Sequence, residues 1–498
     1  MLGVLPAAAQ DKPKPSIKLN TTTDFVAIHV KATAPRETTA LEYRFVAAGA
    51  IVDDSPWLPV NGKPDDDGAY AFDVKLETAR WSELQVRALN GTVELVRKET
   101  HSKVSHDFEW LKPERIEALP EVERTAWQAY MKRSLERSER EYEILASECR
   151  KLSLAQARPA PGNRAELELD SDIPLEWFSS AEAIKTADAV LSYQTPSGGW
   201  SKAVDYSSGP REPGTHWTSQ KGDAWHYCGT IDNRCTTEQI KLLAGVATAM
   251  KREDAKGGAI RGIEYLLEAQ YPNGGWPQNY PVESGYHEAI TLNDNAMVHV
   301  LEVLSAISSE KPAFAFVDDA LRQRAQAALD KGIACILAMQ VNVDGKLTVW
   351  GAQHEPLTLA PAHARSKEPP SLSGGESAEL LKFLMRSGPL TAEVKTAIEA
   401  GVAWLDAHRI TGLRKTTNEK GKTDYVADAG SSEVYWARFY DVTTGKAIFP
   451  GSDDGILYST FTEMAAKNKV AYDFLTTKAR DVIGKEVTRW QKRITKAK

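Results

Sequence analysis

The sequence predicts a mainly α-helical protein preceded by a small β-sandwich-like domain. Three observations carry this expectation. Period-two alternation and a hairpin signal are confined to the first hundred residues, and apolar residues fall at helical spacing from about Leu119 onward. Within the helical part, a pattern of helix end, Gln, Gly-rich turn and Trp recurs. The division expected is 1–15 for a leader remnant and linker, 16–105 for the β domain and 106–498 for the helical domain.

The N-terminal segment MLGVLPAAAQ joins a short apolar stretch to an Ala-Ala-Ala that resembles the end of a signal peptide, and the linker DKPKPS follows. The charged start of such a peptide is missing, yet export is the expectation, with a secreted or periplasmic protein as its outcome. From Ser16 to Lys103 the runs FVAIHV, YAFDVKL and LQVRAL alternate as half-buried strands do. Asn90-Gly91, between LQVRAL and TVELV, is the signature of a type I′ hairpin turn. Several short strands in this span make a small sandwich, and it holds no cluster of catalytic residue types. Packing is its expected role, with carbohydrate binding as the alternative.

From Leu119 the pattern is helical. Pro120 suits a first turn, and a long charged helix runs towards Leu152 before the loop AQARPAPGNRAE. Beyond it lies the internal echo. AVLSYQTPSGGWSK and YLLEAQYPNGGWPQ share the recurring pattern, and CILAMQVNVDGK repeats its first half. Gln194, Gln270 and Gln340 mark units of roughly 70 to 76 residues, enough for two helices and a loop each. Helical hairpins that need a neighbour to bury their apolar faces stack into a solenoid or close into a toroid. Ser179 with Glu182, and Thr236 with Gln239, read as capping boxes. Ile240, Leu243, Val246, Ala247 and Met250 follow the second box, while Met297, Val300, Leu301, Leu304 and Ile307 repeat the helical spacing further on. Trp200 and Trp276 read equally as core plugs and as faces for sugar rings.

The composition excludes several classes of function. With 498 residues, 42% hydrophobic and 26% charged, the chain has room for two or three domains and an ordinary large core. No apolar stretch approaches the ~20 residues of a membrane span. A net charge of -7 argues against nucleic acid as a partner, and any acidic polymer would need local Arg and Lys or a metal to hold it. Four cysteines, Cys149, Cys228, Cys235 and Cys335, are too few for a disulfide framework. A Cys228–Cys235 pair and free buried thiols stay equally open.

Chemistry concentrates in two acid-amide clusters. Asp232-Asn233, in TIDN, and Asn293-Asp294-Asn295, in TLNDNAM, each stand before an amphipathic helix. Such residues serve commonly as helix N-caps. Gathered carboxylate and amide oxygens also coordinate a hard cation, Ca²⁺ or Mg²⁺. A third element is the polar loop AHARSKEPPSLSGGES, dense in Pro, Gly and Ser, in which Arg365 stands out.

The runs TIDN, YPNGGWPQNYP, GYHEAITLNDNAM, AQHEPLTLAPAHARSKEPPSLSGGES and YWARFYD, in this order, resemble polysaccharide lyase family 10. The resemblance spans about Ser179 to Tyr472. It implies an (α/α)₃ toroid-like catalytic domain and a Ca²⁺-assisted β-elimination that cleaves polygalacturonate or a related acidic polysaccharide. By the same resemblance Asp232 and Asp294 contact the calcium ion, and Asn233, Lys202, Arg438 and Asn293 bind substrate. Arg365 takes the C5 proton, and a monomer is expected. An arginine base is physically demanding, because near pH 9 a neutral guanidine costs about 5 to 6.5 kcal/mol. Nearby Ca²⁺ and burial both disfavour the charged form and point to an alkaline optimum. The competing role for Arg365 is a permanent cation that pairs with the uronate.

The chain departs from the family pattern at three places. Ser452, in GSDDG, stands where the family carries an Arg; GGWSKA replaces a GGWPKN-like run around Lys202; and Arg234-Cys235 follows TIDN. Three other functions fit parts of the sequence. A toroidal glycoside hydrolase would use Asp232 and Asp294 as acid and base. A terpene cyclase lacks its acid-rich cluster here. A sugar-binding protein without catalysis would keep the fold and lose the chemistry.

Overall fold

The computed structural model describes residues 15–23, 27–47, 56–75, 82–101, 108–162, 167–169, 173–219, 229–365, 367–417, 421, 423–470 and 472–496. The leader segment up to Lys14 and Cys228, one half of the possible cysteine pair, lie outside them. The chain forms two compact units. One comprises Met1–Ser105, Tyr142–Arg158 and Pro213–Thr215; the other comprises His106–Glu141, Pro159–Glu212 and His216–Lys498.

The first unit carries strands β1 (Lys18–Thr23), β2 (Ala27–Thr33), β3 (Ala40–Ala47), β4 (Leu58–Pro59), β5 (Ala69–Lys75), β6 (Ser82–Asn90) and β7 (Val93–His101). They pair antiparallel in two sheets, ordered β1-β2-β5 and β4-β3-β6-β7. Alternation aims Val30, Ala32 and Val74 of one sheet and Leu41, Leu84, Val86 and Ala88 of the other into a single apolar cluster. Each Val or Leu among them contributes about 1.5–3 kcal/mol when fully buried. Around Trp57 the guanidinium groups of Arg44, Arg87 and Arg97 lie 4.4, 4.2 and 5.0 Å from the ring. The β6–β7 turn differs from the expected one. Asn90 pairs with Val93, so the two loop residues are Gly91 and Thr92, with Gly91 at φ 60° and Thr92 at negative φ. Positive φ at the first loop position alone is the pattern of a type II′ turn, and Asn90 is the last strand residue.

The second unit is helical: α1 (Pro113–Glu117), α2 (Glu121–Lys151, whose last turns belong to the first unit), α3 (Ala181–Ser192), α4 (Thr237–Met250), α5 (Glu253–Ala269), α6 (Ala296–Ser308), α7 (Asp319–Met339), α8 (Gly374–Ser387) and α9 (Ala392–Ala407). Helix α4 packs on α5, α6 on α7 and α8 on α9, while α6 touches both α4 and α8. Three helical hairpins thus share one core. In α6, Met297, Val300, Leu301, Leu304 and Ile307 are all fully buried, as their spacing predicts. Among the described residues no helix is long and apolar enough to cross a membrane.

The internal echo is a repeated bonding device. Gln194 Nε2 donates to the carbonyls of Gly198 and Gly258, Gln270 Nε2 to those of Gly274 and Ala328, and Gln340 Nε2 to those of Thr348 and Ala397. Each Gln therefore closes its own turn and ties it to the outer helix of the next hairpin. Trp200, Trp276 and Trp350 each bury an indole N–H on a helix-end carbonyl, of Val190, Leu266 and Ile336. All three tryptophans are fully buried, which makes Trp200 and Trp276 core plugs and excludes them as sugar-stacking faces. Gly274 has φ 97°, and a Cβ there would meet the Lys331 carbonyl oxygen at 2.3 Å, so no other residue fits this turn.

Both expected capping boxes are displaced. Ser180, not Ser179, caps α3 by accepting from the Ala183 N–H, because Ser179 Oγ is committed to the Glu176 carbonyl. Thr236 precedes α4 but makes no cap bond. Its φ is 64°, and its hydroxyl instead accepts from Trp200 N–H and donates to the Thr230 carbonyl. Tying the Trp loop to the TIDN loop outweighs capping one N–H of a buried helix start.

Candidate active site

The two acid-amide clusters form short 3₁₀ turns, Asp232–Arg234 before α4 and Asn293–Asn295 before α6. Their backbones match: Asn233 and Arg234 have φ 51° and 61°, as do Asp294 and Asn295. Asn and Asp tolerate left-handed geometry better than other side chains, which accounts for Asn233, Asp294 and Asn295 at the corners but not for Arg234. In this register Asp232 corresponds to Asn293 and Asn233 to Asp294, so acid and amide exchange places between the loops. The first loop is held by Thr230, whose Oγ1 donates to the Gln278 carbonyl and accepts from Asp232 N–H. The second hangs from the Ala352 carbonyl, which accepts from Leu292 and Asn293 N–H at 2.9 and 2.7 Å.

Side chains then join the loops to the rest of the site. Lys202 Nζ lies 2.6 Å from Asp232 Oδ2, while Asp232 Oδ1 is buried with no hydrogen-bond partner. Asn293 donates to Asp294 Oδ2 at 2.8 Å and accepts from Arg438 Nη2 at 2.7 Å. Arg438 is fixed by its backbone N–H on the Phe474 carbonyl. The Asp294 carboxyl is exposed on one side and crowded by protein on the others. That crowding, then the Asp232 charge, raises its pKa against the pull of Arg438; the Glu376 carboxylate raises it further. Asp232 and Asp294 thus lie within electrostatic reach of each other, which two side chains on opposite sides of the molecule would not.

Arg365 completes the arrangement. Its guanidinium lies 5.4 Å from the Tyr472 ring, and Arg438 lies 5.0 Å from the same ring. Glu368 accepts from Arg365 Nη2 at 2.7 Å and Nε at 3.1 Å, and with Asn293 and Arg438 it lines one small cavity. The structure therefore brings Lys202, Asp232, Asn293, Asp294, Arg365 and Arg438 into one contiguous region, with Asn233 at the corner of the first loop. Arg365 departs from the expected depressed pKa. The hydrogen-bonded Glu368 carboxylate is the largest cause and holds the guanidinium even more firmly protonated than usual.

Three residues of the region escaped the sequence reading. Glu368 stands three positions after Arg365 in the same loop, a spacing that was open to view. Glu376 reads as a first-turn acid of α8, and its hydrogen bond from Ser373 Oγ confirms that role while its charge reaches Asp294. Tyr472 has no sequence signal, because only the pairing of Trp436–Ala437 with Leu475–Thr476 brings it beside Arg438. Ser452 binds the Lys469 carbonyl and sits in an exposed loop.

A hard cation fits in part. Among the described residues no three acidic, His or Cys side chains stand close enough to cage a metal alone. Two buried oxygens, Asp232 Oδ1 and Asn295 Oδ1, nevertheless lack donors. Ca²⁺ takes 6–8 oxygen ligands, so carboxylates of a bound substrate and water would supply the balance.

The pectic acid lyase family model matches residues 194–483, which hold the whole of this region. A family 10 polysaccharide lyase from Cellvibrio cellulosa aligns at 33% identity and a TM-score of 0.54, covering 62% of this chain and 93% of that one. An aspartate-to-alanine mutant of a family 10 lyase from the same organism, in complex with trigalaturonic acid, aligns at 32% identity with the same TM-score and coverage. No curated protein matches the chain. With more than half of its length matched by the family model, this chain belongs to the pectic acid lyase family and is a polysaccharide lyase.

Proposed function

We propose that the protein is a secreted, monomeric pectate lyase that cleaves polygalacturonate by Ca²⁺-assisted β-elimination. Its catalytic part is an (α/α)₃ toroid from residue 106 onward, following a sandwich-like domain at 16–105. The observation that carries the proposal is the unbroken line from Lys202 through Asp232, Asp294, Asn293 and Arg438 to Tyr472 and Arg365. It sets two neighbouring carboxylates between Lys202 on one side and Arg438 and Arg365 on the other, an arrangement that suits a uronate polymer with a bridging cation. The trigalaturonic acid bound to the Cellvibrio relative supports an acidic sugar polymer as substrate.

Asp232 and Asp294 would hold the cation. When bound, Ca²⁺ neutralises the uronate carboxylate and stabilises the enolate-like charge that develops beside it. Arg438, Lys202, Asn233 and Asn293 orient the sugar acid. As a base Arg365 would first give its own proton to solvent; the neutral guanidine would then take the C5 proton, the C5–H electrons becoming the C4–C5 double bond while the C4–O bond breaks and its pair departs with the glycosidic oxygen. The Glu368 ion pair favours a second role for Arg365, a permanent cation on the uronate.

Incubation with polygalacturonate, with calcium or with a chelator, tests the proposal. Ultraviolet absorbance from an unsaturated uronate is expected with calcium only. Reducing ends without that absorbance, undiminished by chelation, would mark a hydrolase; no product at pH 7 to 10 would remove this polymer as substrate.

A further inference from the structure

Glu368 makes three bonds to one residue. Its carboxylate accepts from Arg365 Nε at 3.1 Å, from Nη2 at 2.7 Å and from the Arg365 backbone N–H at 3.2 Å. The backbone closes the same turn, since Glu368 N–H donates to the Arg365 carbonyl and Ala364 N–H to the Glu368 carbonyl. The two side chains differ sharply in exposure, 11% for Glu368 and 53% for Arg365. A buried anion inside a tight turn therefore holds a guanidinium that faces the cleft.

The edge in use matters. A guanidinium presents five N–H donors on two usable edges. Glu368 occupies the side edge, Nε with Nη2, which leaves the end edge, Nη1 with the second Nη2 hydrogen, pointing away from the carboxylate. Tyr472 covers one face of the group, and Arg438 lies against the same ring. With the side edge held by Glu368, the end edge is the pair of N–H donors left for a substrate carboxylate.

We infer that Glu368 is a positioning residue: it fixes the side edge of Arg365 so that the end edge meets the uronate at the reacting carbon. The inference rests on the lyase mechanism proposed above for what Arg365 does, but not for how Arg365 is held. Glu368 acts through Arg365, to which its carboxylate is bonded. Misplacing a reacting group by an ångström costs on the order of 100-fold in rate, which sets the scale of the effect. The groups that face Arg365 electrostatically are Glu368, Tyr472 and Tyr286, and Glu368 acts most strongly. Removing its charge therefore also eases proton loss from the guanidinium.

Glu368→Ala and Glu368→Gln test this, with kcat and KM on polygalacturonate read across pH together with Tm. Glu368→Ala is expected to lower kcat on the order of 100-fold while KM stays within about threefold. Glu368→Gln, which keeps one acceptor, is expected to retain more kcat and to move the acid limb of the pH profile down by about one unit. A loss of kcat without a moved limb equally supports positioning and makes Arg365 a permanent cation. Folded variants with unchanged kcat, KM and pH profile overturn the inference, as does a change confined to Tm. Should the wild type form no unsaturated product, the lyase mechanism fails by itself. Nitrogen-15 NMR of the Arg365 guanidinium then decides: hindered rotation in the wild type that Glu368→Ala releases supports the inference, and free rotation in the wild type overturns it.

Discussion

At Asp294 the folded protein holds a carboxylate where burial and Asp232 both oppose its charge. Its folded pKa lies above the ordinary value, so the group destabilises the fold as pH rises from the ordinary carboxyl range through that raised value. A bound cation would remove the penalty. Asp294→Asn is accordingly expected to raise Tm in chelator at neutral pH, to abolish the gain in Tm on adding calcium, and to cut activity on the order of 100-fold or more. Thermal scans with and without calcium check this, and an unchanged calcium response in the variant would remove Asp294 as a ligand. His299, one turn beyond Asn295, is the opposite case. Burial, helped by Arg234, Lys241 and Lys478, depresses its pKa to about 3, and its Nδ1 has no partner. The fold requires it neutral, so stability is complete above the ordinary His value near 6.5 and falls as pH drops towards about 3. Urea titrations should show an added slope of up to about 1.4 kcal/mol per pH unit in that window, absent in His299→Leu. Equal slopes in both proteins would contradict it.

At the scale of elements, each Gln of the repeat bonds two carbonyls from different parts of the chain, and those of Gln340 are buried. Gln340→Ala leaves the carbonyls of Thr348 and Ala397 without that donor and is expected to cost about 2–4 kcal/mol, measured by urea unfolding. A loss below about 0.5 kcal/mol would mean that water replaces the amide. The repeat was legible because this bonding duty recurs with the chain: Gln, Gly-rich turn and Trp each have one fixed task per hairpin. Helices α4 and α6 were legible for the same reason, their apolar spacing matching their buried faces, except that Met250 at the last position of α4 is exposed. What escaped were choices that depend on a partner distant in sequence. Thr236 looks like a cap until Trp200 takes its hydroxyl, and Asn90-Gly91 looks like a turn until the β6–β7 register draws Asn90 into the strand. The inward charges escaped too. Glu238 pairs with Lys241 on α4 and Glu379 with Lys382 on α8, and Lys241, Lys382 and Glu379 all act on Glu302 of α6. Only the contact of three helices creates that polar centre.

For the whole molecule, the site is assembled from loops ahead of α4, α6 and α8 and from the segments around Arg438 and Tyr472. The acid-amide loops were legible because carboxylate and amide side chains ahead of a helix suit either a cap or a hard cation, and neither α4 nor α6 has a side-chain cap bond; Arg365 stood out in its polar loop, whereas Arg438 was legible only through the family pattern. A net charge of -7 leaves substrate attraction to these local cations, so binding of an acidic polymer should weaken steeply with salt. On the proposed mechanism one cation is shared between Asp232, Asp294 and a uronate carboxylate. Calorimetry on the Arg365→Ala variant, which should bind without turning substrate over, measures it directly. Calcium affinity is determined with and without trigalacturonate, and trigalacturonate affinity with and without calcium. A shared cation predicts that each ligand tightens the other by the same factor, at least about tenfold, and that Asp294→Asn in the same background erases the coupling. Independent binding of the two ligands, or coupling that survives without Asp294, would rule out a cation shared in this way.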